Sequence, residues 1–255
     1  MDGGAPCFVR AALFDVSGGV NARAPLGTRR KVQPLVRVKM TARQPLRALS
    51  AVRSEQSSTS AEQARQRLKD LVSGETRSGR GRTTAESVRK EVLELVDILE
   101  RSASTSTDRV TPQALDGDWR CFYTTRESSA SPIQRLVVGA GADVVPEIYQ
   151  TVSLSTSRRH VSNKACFETP LGKVVLHVIA TVTGVEPSPA NRLQLKFTEA
   201  FFELEKGTSG FRLPYPVPFR LLGKKACGWL DVTYLEGNLR ISRGNKGTIF
   251  VLSRM

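Results

Sequence analysis

Short runs of alternating apolar and polar residues, separated by turn residues, fill the chain from about residue 115 to its end. Such runs, with Gly and Pro between them and no helical period, are typical of antiparallel strands in a sandwich or a barrel. The pattern predicts strands at 117–125, 147–154, 159–168, 172–182, 191–199, 200–206, 226–235 and 239–252.

The alternation changes phase once within residues 191–206. Apolar residues occupy odd positions up to Phe197 and even positions from Ala200 onward. Because successive side chains of a strand point to opposite faces, this change predicts a β-bulge or a break between two strands.

Two segments before the strands have the apolar spacing of a helix. Residues 60–72 form one candidate with Ser60 as N-cap, and residues 84–102 form the second, capped by Thr83 or Thr84. The second helix carries one apolar stripe, and its polar side mixes acidic and basic residues. A mixed polar side favours a face that docks on a domain over a helix that lies on a membrane.

The basic charge of the chain is concentrated at its N-terminus. The net charge is +14, and residues 1–60 hold +7 of it, with no acidic residue between Asp15 and Glu55. Arg-rich, acid-poor N-termini are typical of organellar transit peptides. The alternative is a disordered basic tail that binds nucleic acid or anionic lipid. We predict a disordered transit peptide at 1–58, a helical hairpin at 59–104 and a β-domain at 105–255.

Several kinds of site are not supported by the sequence. No apolar run reaches the ~18 residues that a membrane-spanning helix needs, so any membrane association is expected to be peripheral. The four cysteines are far apart and contain no CxxC pair, so neither a disulfide framework nor a zinc site is predicted. No metal or cofactor is predicted.

Residues 228–252 carry the most specific motif, GWLDVTYLEGNLRISRGNKGTIFVL. The turn Glu236-Gly237-Asn238 predicts a hairpin, and the stretch 244–248 predicts a bulge in the last strand. The segment resembles the closing segment of the plastid lipid-associated proteins, or fibrillins, which is close to GWLDxTYLxxxLRIxRGNxGxxFVL. Residues 115–125, Tyr149-Gln150 and the two helices are similar to that family as well.

The resemblance implies a fold and a compartment. It implies a mainly β protein: an antiparallel lipocalin-like barrel of about eight strands, with two N-terminal α-helices packed on it. It also implies a chloroplast protein associated with thylakoids or plastoglobules.

Two residues at the ends of the β-domain suggest how such a barrel closes. Gly117-Asp118-Trp119 opens the first strand and Arg243 lies in the last. The pair resembles the lipocalin arrangement, in which an Arg stacks on a Trp that plugs one end of the barrel. Trp119 and Tyr123 would then both face inward. The alternative is that Trp119 is an ordinary core residue and Arg243 a solvated edge charge.

Further candidates for ligand contact are Phe197, as a cavity lining, and Asp231. Asp231 is expected to pair with Arg240 or Arg243 across the hairpin, and the resemblance implies a role in ligand binding. Two other segments are candidate contact surfaces. Residues 129–145 are expected to form a short helix or a lid over the barrel mouth, and the Pro-rich loop 213–219 would present Tyr215 and Phe219 as a lipid contact or as a packed loop.

The favoured function is non-enzymatic. The protein would bind or coat apolar plastid lipids (carotenoid, quinone, tocopherol or acyl lipid) at a peripheral membrane or plastoglobule surface. One alternative is a barrel enzyme that acts on an isoprenoid or lipid precursor, for which His177 with Glu168 or Glu199 is the available pairing. Another is a scaffold whose partner is a lipid-pathway enzyme. A nucleic-acid partner is not expected, because residues 61–255 show no stripe of basic and aromatic residues.

Overall fold

The computed structural model describes residues 46–74, 84–104, 110–125, 147–169, 172–186, 191–206, 209–215, 219–245 and 247–255. Residues 1–45 of the predicted transit peptide and the predicted helix or lid at 129–145 lie outside these ranges. The helices are α1 (Leu46–Ser73), α2 (Glu86–Ser104) and α3 (Pro112–Leu115), and a 3₁₀ segment covers Phe219–Ala226. The strands are β1 (Gly117–Thr124), β2 (Glu147–Ser153), β3 (His160–Thr169), β4 (Gly172–Glu186), β5 (Arg192–Lys206), β6 (Ser209–Pro214), β7 (Cys227–Glu236), β8 (Leu239–Gly244) and β9 (Ile249–Arg254).

Eight of these strands form a closed antiparallel barrel. Strands β1 to β5 pair in chain order, β5 then pairs with β7, and β7, β8 and β9 lead back to β1. β6 pairs only with the second half of β5, so it is an edge strand that extends from the barrel. The predicted lipocalin-like barrel of about eight strands is therefore confirmed, and closure leaves its eight strands without a free edge.

One predicted strand is two strands in the structure. The single strand predicted at 239–252 is the hairpin of β8 and β9, and the described residues between Gly244 and Ile249 belong to its turn rather than to a bulge. The amide of Gly244 donates to the carbonyl of Thr248 at 2.9 Å, and the amide of Gly247 donates to the carbonyl of Gly244 at 2.8 Å. Gly247 has a φ of 71°, a conformation that favours glycine.

The change of phase within residues 191–206 is a β-bulge, one of the two predicted alternatives, and the two strands predicted at 191–199 and 200–206 are one continuous strand. Ile179 of β4 pairs with Glu199, but Ala180 pairs with Phe197, so Thr198 has no partner in the ladder. The extra residue brings both Phe197 and Phe202 into the same apolar core.

Helices α1 and α2 cover the outside of the barrel. Leu68 of α1 and Leu99 of α2 are fully buried in a cluster with Tyr234, Ile241 and Val251 of the barrel. The predicted docking face of the second helix is thus present. Within the described residues, no helix has both the length and the apolar character needed to cross a membrane.

The helix starts differ from the prediction. α1 begins at Leu46, so Ser60 lies inside the helix and does not cap it. α2 begins at Glu86, where the amide of Arg89 donates to the carbonyl of Ala85 at 3.0 Å. The helical backbone from 46 to 58 overlaps the segment predicted as a transit peptide, and the boundary of that segment stays a prediction.

Candidate functional site

Trp119 lies in the interior core of the barrel, near the start of β1. Its side chain is fully buried, and its indole Nε1 donates to the carbonyl of Leu115 at 3.0 Å. Leu115 ends the short helix α3, which starts with Pro112 and is capped by Thr111. The first residue of β1, Gly117, favours glycine for two reasons. Its φ is 129°, and a Cβ at this position would lie 2.6 Å from Nη1 of Arg254.

Two guanidinium groups lie near the ring of Trp119. Cζ of Arg240, on β8, is 4.5 Å from the ring centroid, and Cζ of Arg254, on β9, is 4.4 Å from it. Arg254 also donates to the carbonyls of Asp116 and Ala114. Both distances are within the 6 Å range of cation–π contacts, but neither arginine is the one predicted to stack on Trp119.

The arginine chosen from the sequence, Arg243, was the wrong one. Arg243 donates to Glu100 of α2 at 2.8 and 2.6 Å, and its Nη2 lies 3.5 Å from Oδ1 of Asp97. It shares the helix-facing side of β8 with Ile241, whereas Arg240 faces inward. The strand pattern hides this difference, because Leu239, Arg240, Ile241 and Ser242 are all fully or nearly fully buried.

Tyr123 does not face inward with Trp119. The pairing of β1 with β9 shifts between Cys121 and Tyr123, which pair with Leu252 and Val251 respectively. The extra residue turns Tyr123 to the outer side, where it is buried in the cluster beneath the helices. Burial there raises the pKa of its hydroxyl.

Phe197 and Asp231 occupy different sides of the barrel wall. Phe197 is buried in the interior core, with its ring centroid 5.9 Å from that of Phe219. Asp231 faces outward and accepts from Arg192 at 2.6 and 2.8 Å. Its predicted partners Arg240 and Arg243 were wrong. Arg243 does lie opposite Asp231 on β8, but its guanidinium donates to Glu100, and Arg192, opposite on β5, pairs with the carboxylate instead. A ligand role for either Phe197 or Asp231 stays a prediction.

The barrel interior contains a chain of polar side chains that the sequence analysis did not identify. Arg240 donates through Nη2 to Oε1 of Gln150, and Nε2 of Gln150 donates to Oδ1 of Asn163 at 2.8 Å. All three are buried, as is Ser242 on the same inward face of β8. The available signal was a polar residue at an inward position in each of the strands β2, β3 and β8.

Several atoms of this interior network have no hydrogen-bond partner. They are Nε and Nη1 of Arg240, Nδ2 of Asn163 and Oγ of Ser242. Burial lowers the pKa of Arg240 to about 9, and the charge of Arg254 acts in the same direction. Within the described part of the chain, no carboxylate forms an ion pair with Arg240.

A small cavity of about 20 Å³ adjoins these atoms. Its lining consists of Cys121, Ile148, Gln150, Asn163, Leu230, Ser242, Phe250 and Leu252. Such a space holds about one water-sized group, whereas pockets for drug-sized ligands have about 300–1,000 Å³. A whole carotenoid or quinone does not fit this cavity as it stands.

The pairing suggested for an enzyme is not formed. Nε2 of His177 lies 2.9 Å from Oε2 of Glu203, and its ring stacks on Phe201 at 4.5 Å. His177 alternates with the inward residues Leu176 and Val178, so it faces outward. Burial lowers its pKa, and Glu203 opposes that effect. Among the described residues, no cluster of metal-ligating side chains is found.

The Pro-rich segment is packed where it is described. Leu213 and Pro214 end β6, and residues 216–218 lie outside the described ranges. Tyr215 and Phe219 are both buried, and the ring of Tyr215 lies 5.7 Å from that of Phe202. Of the two interpretations of this loop, the packed one is correct for both aromatic residues.

The exposed apolar side chains lie on β6 and not on Tyr215 or Phe219. Phe211 and Leu213 point to the same side of this edge strand and are 65% and 45% exposed. Between them, Arg212 is exposed and extends its guanidinium to 4.8 Å from the ring centroid of Phe201. We call the exposed segment Phe211–Leu213 the β6 rim.

Comparisons with known proteins give matches over most of the chain. The family model PAP_fibrillin matches residues 62–253. The chain is 40% identical over 181 residues to the probable plastid-lipid-associated protein 12, chloroplastic, of Arabidopsis thaliana, covering 69% of this chain and 41% of that protein. It is 26% identical over 238 residues to the plastid lipid-associated protein 1, chloroplastic, of Brassica campestris, covering 79% of this chain and 70% of that one.

A third relative is the light-induced protein, chloroplastic, of Solanum tuberosum, 26% identical over 213 residues, which are 69% of this chain and 63% of that protein. The chloroplast location predicted from the sequence agrees with all three names. The chain spans less than half of the Arabidopsis relative. No solved structure gave a significant match.

Proposed function

The chain belongs to the PAP/fibrillin family, and from this premise we propose that it is a non-enzymatic protein that coats plastid lipid surfaces through its β6 rim. The observation that carries the proposal is the exposure of Phe211 and Leu213 side by side on an edge strand. Apolar side chains grouped on an exposed edge are typical of interaction sites.

The size of the rim fits a reversible association. Full burial of one large apolar side chain stabilises by about 1.5–3 kcal/mol. Two such side chains, separated in sequence by Arg212, are expected to give weak and reversible peripheral binding to a lipid surface. A thylakoid or plastoglobule surface offers apolar lipids beneath a headgroup layer, which suits this small apolar contact.

Charge supports the choice of a lipid surface. Residues 61–255 keep a net charge of +7 when the +7 of residues 1–60 is removed. A basic protein is attracted to anionic headgroups, at about 1 kcal/mol per basic residue near the surface. Arg212 lies on the other face of β6, where its Nε is 3.5 Å from Oε1 of Glu203, so the attraction rests on the net charge of the whole chain.

The catalytic alternative has less support. An enzyme of the barrel interior would need a titratable pair that faces the substrate, and His177 faces outward beside Glu203. The three relatives carry names that refer to lipid association or to induction by light, and none of these names is that of an enzyme.

A flotation experiment tests the proposal. The full chain is mixed with vesicles of galactolipid and phosphatidylglycerol, and the bound fraction is measured after centrifugation. The double variant Phe211→Ser/Leu213→Ser should lower the partition coefficient at least tenfold, since two buried apolar groups are lost. Val185→Ser is the matched control, because Val185 is 38% exposed at the other end of the barrel. A double variant that floats like the unchanged protein would refute the proposal.

A further inference from the structure

The hydrogen bonds inside the barrel run in one direction. Oε1 of Gln150 accepts from Arg240, and Oδ1 of Asn163 accepts from Gln150. The opposite orientation of Gln150 would set its NH₂ group against the guanidinium, so Arg240 fixes both amides. Each side-chain carbonyl is thereby occupied, and the groups left over at Arg240 and Asn163 are donors.

These leftover donors are costly in a dry interior. An unpaired buried donor costs about 1–3 kcal/mol, and more when it is charged. The ring of Trp119 stabilises the guanidinium of Arg240, but a cation–π contact does not pair the N–H groups of that guanidinium. One water could bridge some of them, yet it would leave the positive charge uncompensated.

We propose that the barrel interior binds a carboxylate group, which accepts from Asn163 and Ser242 and whose charge is balanced by Arg240. Ser242 and Asn163 line the 20 Å³ cavity, Arg240 does not, and Oγ of Ser242 and Nδ2 of Asn163 lack partners, so these two groups are the donors nearest to an entering ligand oxygen. Gln150 lines the same cavity and links it to Arg240.

The size and lining of the cavity decide which anion fits. A carboxylate is small and planar, whereas a phosphate needs room for a tetrahedral group. The apolar part of the lining suits an alkyl chain attached to the carboxylate. Ile148 and Phe250, which are half-buried at the starts of β2 and β9, mark the direction that such a chain would take, away from Trp119. Only one carboxylate oxygen fits the 20 Å³ as it stands, so the rest of any ligand has to displace side chains.

This interior site is separate from the β6 rim. The rim contacts a lipid surface, and the interior would take up a single carboxylate, either a small free one or the head of a fatty acid. The two sources offer the same chemistry to Arg240 and differ only in the apolar chain. Flotation and ligand binding are therefore expected to fail independently of each other.

The test uses the full chain with [1-¹³C]acetate, [1-¹³C]laurate and dodecanol, followed by carboxyl ¹³C NMR and titration calorimetry. We expect a bound carboxyl signal and an affinity for laurate at least tenfold higher than for dodecanol, because charge-assisted hydrogen bonds act only on the carboxylate. Binding of acetate without laurate would identify a free small carboxylate as the source. Binding of laurate would identify a fatty acid.

The matched variants lie on the two sides of β8. Arg240→Met should lower the affinity for the carboxylate at least tenfold, whereas Arg243→Met should leave it unchanged. Should Arg240→Met not fold, Asn163→Ala and the comparison of laurate with dodecanol in the unchanged protein still decide the question. Equal affinity for laurate and dodecanol would overturn the proposal. So would the absence of a bound carboxyl signal with both acetate and laurate, which would mean that the cavity holds only water.

Discussion

The inward and helix-facing sides of β8 are both buried, yet they are buried in opposite ways. On the helix-facing side, Leu239 and Ile241 pack into the cluster with α1 and α2, and Arg243 is paired with Glu100. On the inward side, Arg240 and Ser242 keep polar atoms without partners. Two arginines three residues apart thus have different surroundings, one compensated by the protein itself and the other not.

The difference indicates that the two sides of β8 have different roles, one in stabilising the fold and the other in binding a ligand. On the helix-facing side no group lacks a partner of its own kind, because the apolar side chains are covered by the helices and the charge of Arg243 is paired with Glu100. The inward side is costly as it stands, and buried donors that no protein group satisfies are expected where a ligand supplies the acceptor. The following predictions compare the two sides, in order of decreasing effect.

Trp119→Ala should have the largest effect on the free energy of unfolding. Trp119 is buried in the interior core and lies beside two guanidinium groups, so its removal leaves a cavity and exposes Arg240 and Arg254 to it. We expect a loss of about 3–5 kcal/mol, measured by denaturant unfolding. A loss below about 1 kcal/mol would mean that Trp119 does not fill the interior core.

Replacing the two arginines of β8 should change stability in opposite directions. Arg240→Met removes a buried charge that lacks an acidic partner, and an apolar group of similar shape is expected to raise the free energy of unfolding by about 1–4 kcal/mol. Arg243→Met breaks an ion pair with Glu100 and should lower it by about 1–2 kcal/mol.

Denaturant unfolding of both variants at pH 7, without added carboxylate, measures the contrast. The same sign of change in both would show that the two sides of β8 do not differ in the way the geometry indicates.

Features that depend on neighbouring residues in the chain can be predicted from the sequence, whereas contacts between distant residues cannot. Most strands were predicted, because the alternation that specifies them is local, but β6 was not, and the phase change near Thr198 left a bulge and a break both open. The choice between Arg240 and Arg243 was wrong, since a strand covered on both sides shows no alternation. The inward position of Tyr123 was wrong because a bulge between Cys121 and Tyr123 reverses the side to which Tyr123 points.

Partners across the sheet were beyond the sequence for a second reason. Asp231 pairs with Arg192 because β7 lies beside β5, a register set by the closure of the whole barrel. Likewise, Gln150 meets Arg240 across the interior, 90 residues along the chain. Local patterns do not fix such contacts.

The smallest effect is expected at His177, a polar group on the outside of the barrel whose neighbours are all provided by the protein. Glu203, Lys164 and Arg212 act on it, and burial is the main cause that lowers its pKa below 6.5. The unfolded chain therefore binds more protons between the folded pKa and 6.5, so stability should fall as pH falls through this window.

His177→Gln should flatten that pH dependence, as measured by thermal unfolding between pH 4 and pH 8. The ring of Phe201 stacks on His177. A glutamine side chain can pack on the same ring, so the variant is expected to fold. An unchanged pH dependence would assign the loss of stability to other groups.

Fluorescence quenching by brominated lipids tests most directly whether the β6 rim meets lipid. Phe211→Trp and Val185→Trp each add one indole at an exposed position, and the signal of the unchanged protein is subtracted. In vesicles of galactolipid and brominated phosphatidylglycerol, the indole at position 211 should be quenched and the one at position 185 should not. Equal quenching at both positions, or quenching at 185 alone, would contradict the assignment of the rim as the lipid-contacting surface.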